Sequence, residues 1–82
     1  MARMKYVVID GYLCDEIYLF PEFVDYSEFV IQTLGNTREQ VLGAGFVGSD
    51  LRCYGRSTSL GIDSRGAADT DLLSRNLGVD NL

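Results

Sequence analysis

The sequence predicts an α+β domain of order ββαββα: a small antiparallel four-stranded sheet with two helices on one of its faces. Three observations carry that expectation. Short apolar runs rich in β-branched and aromatic residues come in neighbouring pairs, "MKYVVID" with "EIYLF" and "EQVLGAGFVG" with "LRCYGRSTSLGI". Each pair is followed by a segment with helical apolar spacing and capping residues. The chain has 82 residues, the size of one domain, so 1–82 is read as a single unit.

"MKYVVID" is strand 1. Asp10-Gly11 marks the turn, glycine being the residue that accepts positive φ in tight hairpins. "EIYLF" is strand 2, and Pro21 ends it because proline cannot donate to a ladder. "DYSEFVIQTLG" is the clearest helix. Asp25 is its N-cap with Glu28 three residues on, and Tyr26, Phe29, Val30 and Leu34 form one apolar stripe. Val24 staples the first turn and Gly35 closes the last.

"EQVLGAGFVG" is strand 3, with Leu42, Ala44 and Phe46 on one face and Gly43 and Gly45 leaving the other nearly bare. Ser49-Asp50 is a turn. "LRCYGRSTSLGI" is strand 4, with a bulge near Gly55. "DTDLLSRNLG" is the second helix, capped by Asp69 or Thr70, striped by Leu72, Leu73 and Leu77, and ended by Gly78. The tail "VDNL" frays.

Composition narrows the function classes. A hydrophobic share of 46% belongs to a globular chain, not a disordered one. The net charge of −5 argues against nucleic-acid binding, whose affinity comes largely from phosphate contacts. It suits a basic partner surface. Histidine is absent, which excludes Ser-His-Asp and Cys-His catalysis and most zinc sites within one chain. The expectation is therefore no enzyme, no metal and no cofactor. Cys14 and Cys53 form no CxxC pair. With no signal peptide at the start they are read as free thiols of a cytoplasmic protein, Cys53 buried and Cys14 accessible. No apolar run approaches the ~20 residues of a membrane span. Folding at this length buries only roughly 60–65% of the chain's surface. The open sheet edges, the bare Gly43/Gly45 face and the aromatics Tyr6, Tyr12 and Tyr18, read as exposed, therefore predict a homo-oligomer.

One stretch gathers hydroxyls, glycines and arginines: "CYGRSTSLGIDSRGAADTDLL". Strand alternation puts Cys53, Gly55, Ser57, Ser59 and Gly61 on one uniformly small face. Such a face permits close packing of a helix or neighbouring strand. Alternatively it is a ligand wall, with Arg56, Ser57, Ser59, Ser64 and Arg65 holding a phosphorylated or nucleotide-like ligand. Ser64, Arg65 and Gly66 precede a helix N-terminus, where N–H groups favour anions. Asp69 and Asp71 already occupy its first turn and oppose a phosphate.

Other patterns are weaker. "GAGFVG" matches G-x-G-x-x-G by letter, but its glycines lie within a strand and lead into a turn, unlike a dinucleotide fingerprint. Asp10, Asp15, Glu16 and Glu22 surround the first hairpin as solvated acids, with a carboxylate pair for acid–base work as the alternative. Phe20 and Phe23 flank Pro21 and serve core packing, with a partner groove as the alternative.

The segment Cys53-Tyr54-Gly55, Ser57, Ser59-Leu60, Ser64-Arg65 and Asp69, with "KYVVID" at Lys5 to Asp10 and "FPE" at Phe20 to Glu22, resembles small uncharacterised proteins of tailed phages and prophages. The resemblance implies a protein made in an infected bacterial cytoplasm, with an accessory role: docking on a host or defence protein, or sequestering a nucleotide signal. It carries over no functional residues.

Overall fold

The computed structural model describes residues 3–78; the predicted fraying tail, residues 79–82, lies outside the described residues. Strand β1 (Met4–Asp10) is the spine, because its centre Tyr6-Val7-Val8-Ile9 is apolar on both faces and is buried throughout. Strand β2 (Asp15–Pro21) pairs antiparallel with it from Met4↔Pro21 to Asp10↔Asp15. Strand β3 (Val41–Val47) pairs antiparallel with its other edge, and β4 (Cys53–Tyr54) pairs with β3, giving the order β2-β1-β3-β4. The chain is an α+β fold built on a four-stranded antiparallel sheet.

The helices cover both faces of that sheet, not one. Val7, Ile9, Ala44 and Phe20 point to the side of α1 (Tyr26–Glu28), which continues as a π-helical turn over Phe29–Thr33; Tyr26, Val30 and Leu60 complete that core. Tyr6, Val8, Val47 and Cys53 point to the other side, under Leu73 of α2 (Ala67–Leu77). The unbroken apolar run in β1 requires cover on both sides, since side chains alternate along a strand. Fully burying a side chain such as Phe20 or Leu73 is worth about 1.5–3 kcal/mol.

The first helix follows the predicted stripe. The Asp25 carboxylate accepts from the Ser27 and Glu28 amides at 3.0 and 3.3 Å. Tyr26 and Val30 are buried, Phe29 and Leu34 half-buried, and Val24 packs beside them. The Leu34 amide reaches the Phe29 carbonyl at 3.1 Å, a π spacing, and Gly35 leaves the turn with φ +69°.

Several expectations are corrected. The pairing of β1 with β3 slips by one residue between Val8 and Ile9. That bulge turns Leu42 to the α2 side and puts Val41 in the α1 core beside Ala44. The single predicted strand 4 is three short strands: β4, then β5 (Arg56–Ser57) and β6 (Ile62–Asp63), which pair as a separate two-stranded sheet. Gly55, at φ +84°, makes the break. The second helix starts after Gly66, so neither Asp69 nor Thr70 caps it; Leu77 is exposed, and Gly78 ends the helix in the left-handed conformation. Tyr6, read as exposed, is fully buried. The first hairpin has a four-residue loop, residues 11–14, and Gly11 serves close approach, not positive φ: a Cβ there would strike the Cys14 carbonyl.

Candidate functional site

Gly43 of β3 is where the second helix lands. Over Gly43 sits the Asp69 carboxylate; a Cβ at that position would stand 2.5 Å from its Oδ2 and 3.3 Å from Arg65 Nε. At Gly45 a Cβ would strike the Tyr54 carbonyl and crowd the Tyr6 ring. The face predicted to be bare is thus filled from within the same chain, which removes it as a reason for oligomerisation.

Asp69 is 0% exposed and fully paired. Its Oδ2 accepts from the Arg65 amide at 2.8 Å and from the Tyr6 hydroxyl at 2.5 Å, and its Oδ1 accepts from Arg65 Nε at 2.7 Å. Tyr6 has one proton to give and the carboxylate can only accept, so the Ser64 hydroxyl, 2.7 Å away, donates to the Tyr6 oxygen. Ser64 Oγ in turn accepts from the Gly66 amide at 3.0 Å. Arg65 Nη2 lies 3.7 Å from Asp15, the first β2 residue after the loop of the first hairpin. Burial, then the Asp69 carboxylate, push the Tyr6 phenol far above the usual tyrosine range. The cluster therefore consists of charges and donors that answer one another.

The five residues of the predicted ligand wall divide between two places, Ser64 and Arg65 in one and Arg56, Ser57 and Ser59 in the other, where the Ser57 and Ser59 hydroxyls lie 3.5 Å apart. Ser64 and Arg65 belong to the cluster on the α2 face. Ser57 is fully buried in the β5–β6 hairpin, where its Oγ accepts from the Leu60 amide at 3.1 Å. Arg56 and Ser59 share a groove on the opposite, α1 face with Lys5, Asp25, Tyr26, Phe46 and Thr58. Arg56 Nε also lies 3.5 Å from Asp63, with both side chains largely exposed. The strand alternation assumed for the wall fails because Gly55 and the turn at residues 58–61 interrupt it.

Both cysteines are free, Cys14 exposed and Cys53 buried. Burial pushes the Cys53 thiol up to about 11, partly offset by the Thr70 hydroxyl, so it is protonated at neutral pH and a poor nucleophile. Among the described residues no group of three or more Cys, Asp or Glu side chains is placed to hold a metal ion, and no helix is long and apolar enough to cross a membrane.

At the tip of the first hairpin Tyr12 is exposed as the sequence predicts, and its neighbour Leu13, which sequence reasoning missed, is exposed beside it. Tyr12 is 100% exposed and Leu13 90% exposed. The acids Asp10, Asp15 and Glu16 flank them at the strand ends. The signal was two large apolar residues in a turn segment whose assignment to loop or strand was open. Phe20 and Phe23 also part company: Phe20 is core, stacked on Phe29 at 4.1 Å between centroids, while Phe23 is 88% exposed. Comparison with protein-family models, curated proteins and solved structures finds no match for this chain.

Proposed function

We propose that this chain is a non-catalytic docking protein that engages another protein through the tip of its first hairpin. The observation that carries the reading is Tyr12 and Leu13, two large apolar side chains with almost no intramolecular cover, raised on paired strands and flanked by Asp10, Asp15 and Glu16. An exposed aromatic beside an aliphatic residue is the chemistry of an interface anchor. The carboxylates around it select a partner pocket with a basic rim and speed encounter with it. The resemblance to phage accessory proteins gives the partner class, a protein of a bacterial host or of its defences.

The test is affinity capture from a bacterial lysate, quantified for the wild type and for Tyr12→Ser/Leu13→Ser. A partner retained by the wild type and lost by the double variant, at unchanged melting temperature, supports the reading. Equal retention by both proteins contradicts it.

A second reading rests on the α1-face groove. Lys5, Arg56, Thr58 and Ser59 supply donors beside the Phe46 and Tyr26 rings, with the two cations outnumbering the one carboxylate, Asp25, a lining that takes a phosphorylated or nucleotide-like small molecule. Thermal shift against a nucleotide panel separates it from the first, because a ligand at ~100 Kd adds about 2.7 kcal/mol to the stability of a protein that binds it only when folded. Arg56→Ala would abolish such a shift and leave hairpin-tip docking intact.

A further inference from the structure

We infer that the outer edge of β2 is a dimerisation surface and that its occupant is β2 of a second copy of this chain. β2 ends the sheet order, and among the described residues no strand lies on its outer side. The opposite edge, β4, is only two residues long. β2 runs seven residues in unbroken register with β1. Its blunting features stand only at its ends, Asp15 and Glu16 at one and Pro21 at the other; its centre Ile17-Tyr18-Leu19 carries no charge, and its pairing with β1 has no bulge.

The sequence of β2 is also self-complementary in one register. Antiparallel pairing about a two-fold axis at Tyr18 sets Tyr18 against Tyr18 of the second copy. Ile17 then faces Leu19, Glu16 faces Phe20 and Asp15 faces Pro21. Leu19, 37% exposed in the single chain, gains an aliphatic neighbour on the α2 face, and the two tyrosines form a cross-strand aromatic pair. The acids of each copy land at the Pro21 end of the other, away from one another. The one carboxylate at that end, Glu22, is already held by Arg3 Nη2 at 2.7 Å. A foreign strand would have to reproduce this match; a second copy carries it by symmetry. This interface replaces the bare Gly43/Gly45 face as the reason to expect an oligomer, and it does not depend on the hairpin-tip reading.

The dyad at Tyr18 makes the inference testable by charge swap. Sedimentation equilibrium at high micromolar concentration is run on the wild type, on Tyr18→Lys, on Tyr18→Glu and on an equimolar mixture of the two variants. The wild type is expected at twice the 9.1 kDa chain mass. Each variant alone places like charges opposite one another and should dimerise at least about ten-fold more weakly. The mixture should recover a heterodimer. A wild type that stays at the single-chain mass, or variants that dimerise as well as the wild type, overturns the inference. Should either variant fail to fold by circular dichroism, amide exchange of the wild type decides. Protection of β2 amides that rises with protein concentration supports the interface, and protection independent of concentration refutes it.

Discussion

The Tyr6 hydroxyl and the Asp69 carboxylate, 63 positions apart in the chain, meet at 2.5 Å beneath the first turn of α2. Tyr6 lies at the centre of the middle strand and Asp69 in a helix otherwise joined to the sheet by leucine packing and one Thr70 contact to the Cys53 amide at 3.0 Å. The bond fixes where α2 sits along the sheet. Arg65 adds the positive charge that a buried carboxylate needs, and Ser64 completes the Tyr6 oxygen. A buried ion pair adds little over an apolar replacement, but removing one partner strands the other.

That asymmetry separates the arginines. Arg65→Ala takes the Nε donor from Asp69 and leaves a buried carboxylate with only the Tyr6 hydroxyl and a backbone amide. Stability should fall by about 1.5–3 kcal/mol, the worth of a hydrogen bond to a charged group. Arg56→Ala removes an exposed pair with Asp63 and should cost about 0–1 kcal/mol. Urea denaturation of both variants checks the contrast. Equal effects would mean that Arg65 is not part of the support of α2.

Gly43 is needed for space. Gly43→Ala sets a Cβ against Asp69 Oδ2 and Arg65 Nε, atoms already committed on the other side, and should destabilise by about 1–3 kcal/mol. In an Asp69→Ala background the obstructing carboxylate is gone, so the same substitution should cost clearly less. Identical costs in the two backgrounds would contradict the packing described for β3 and α2.

Alkaline titration reports on the two buried faces together. Burial raises Cys53 from its ordinary 9.0 to about 11, and Tyr26 from 10.0 to about 12; Tyr6 is raised still further. A raised pKa means that the unfolded chain releases the proton first. The contribution of each group is therefore complete below its unfolded value and declines as pH rises through the folded one. Unfolding free energy should fall from about pH 9 upward, first with Cys53 and then with the tyrosines. Denaturant melts between neutral pH and pH 11 measure it. A Cys53→Ala variant should lack the earliest part of the decline.

The β elements with two-sided or alternating apolar patterns, and the capped stripe at Asp25 to Leu34, were legible in the sequence because local spacing determines them. The cover of both sheet faces was missed, the helices being expected on one face, although the unbroken apolar run Tyr6 to Ile9 leaves no solvent face. The division of strand 4 was not legible. It follows from Gly55 taking positive φ, which a glycine permits but does not announce. The ligand wall failed for the same reason, since its alternation assumed a continuous strand. Asp69 read as a cap because aspartate at a helix start usually is one. Its burial depends on Gly43 and Tyr6, contacts across tens of residues that no local pattern encodes. Tyr12 was expected at the surface, whereas the exposure of Leu13 depends on nothing folding back over the hairpin tip.

The coupling between Tyr6 and Asp69 tests the account most directly. A double-mutant cycle of Tyr6→Phe and Asp69→Asn, read by equilibrium unfolding, isolates their interaction from the packing of the ring and from the Arg65 contacts. The account predicts a coupling energy of about 1.5 kcal/mol or more, as for a buried hydrogen bond to a charged acceptor. Single-variant costs that add to within about 0.5 kcal/mol in the double variant would show that the two side chains do not act together, and would contradict the placement of α2 on the sheet.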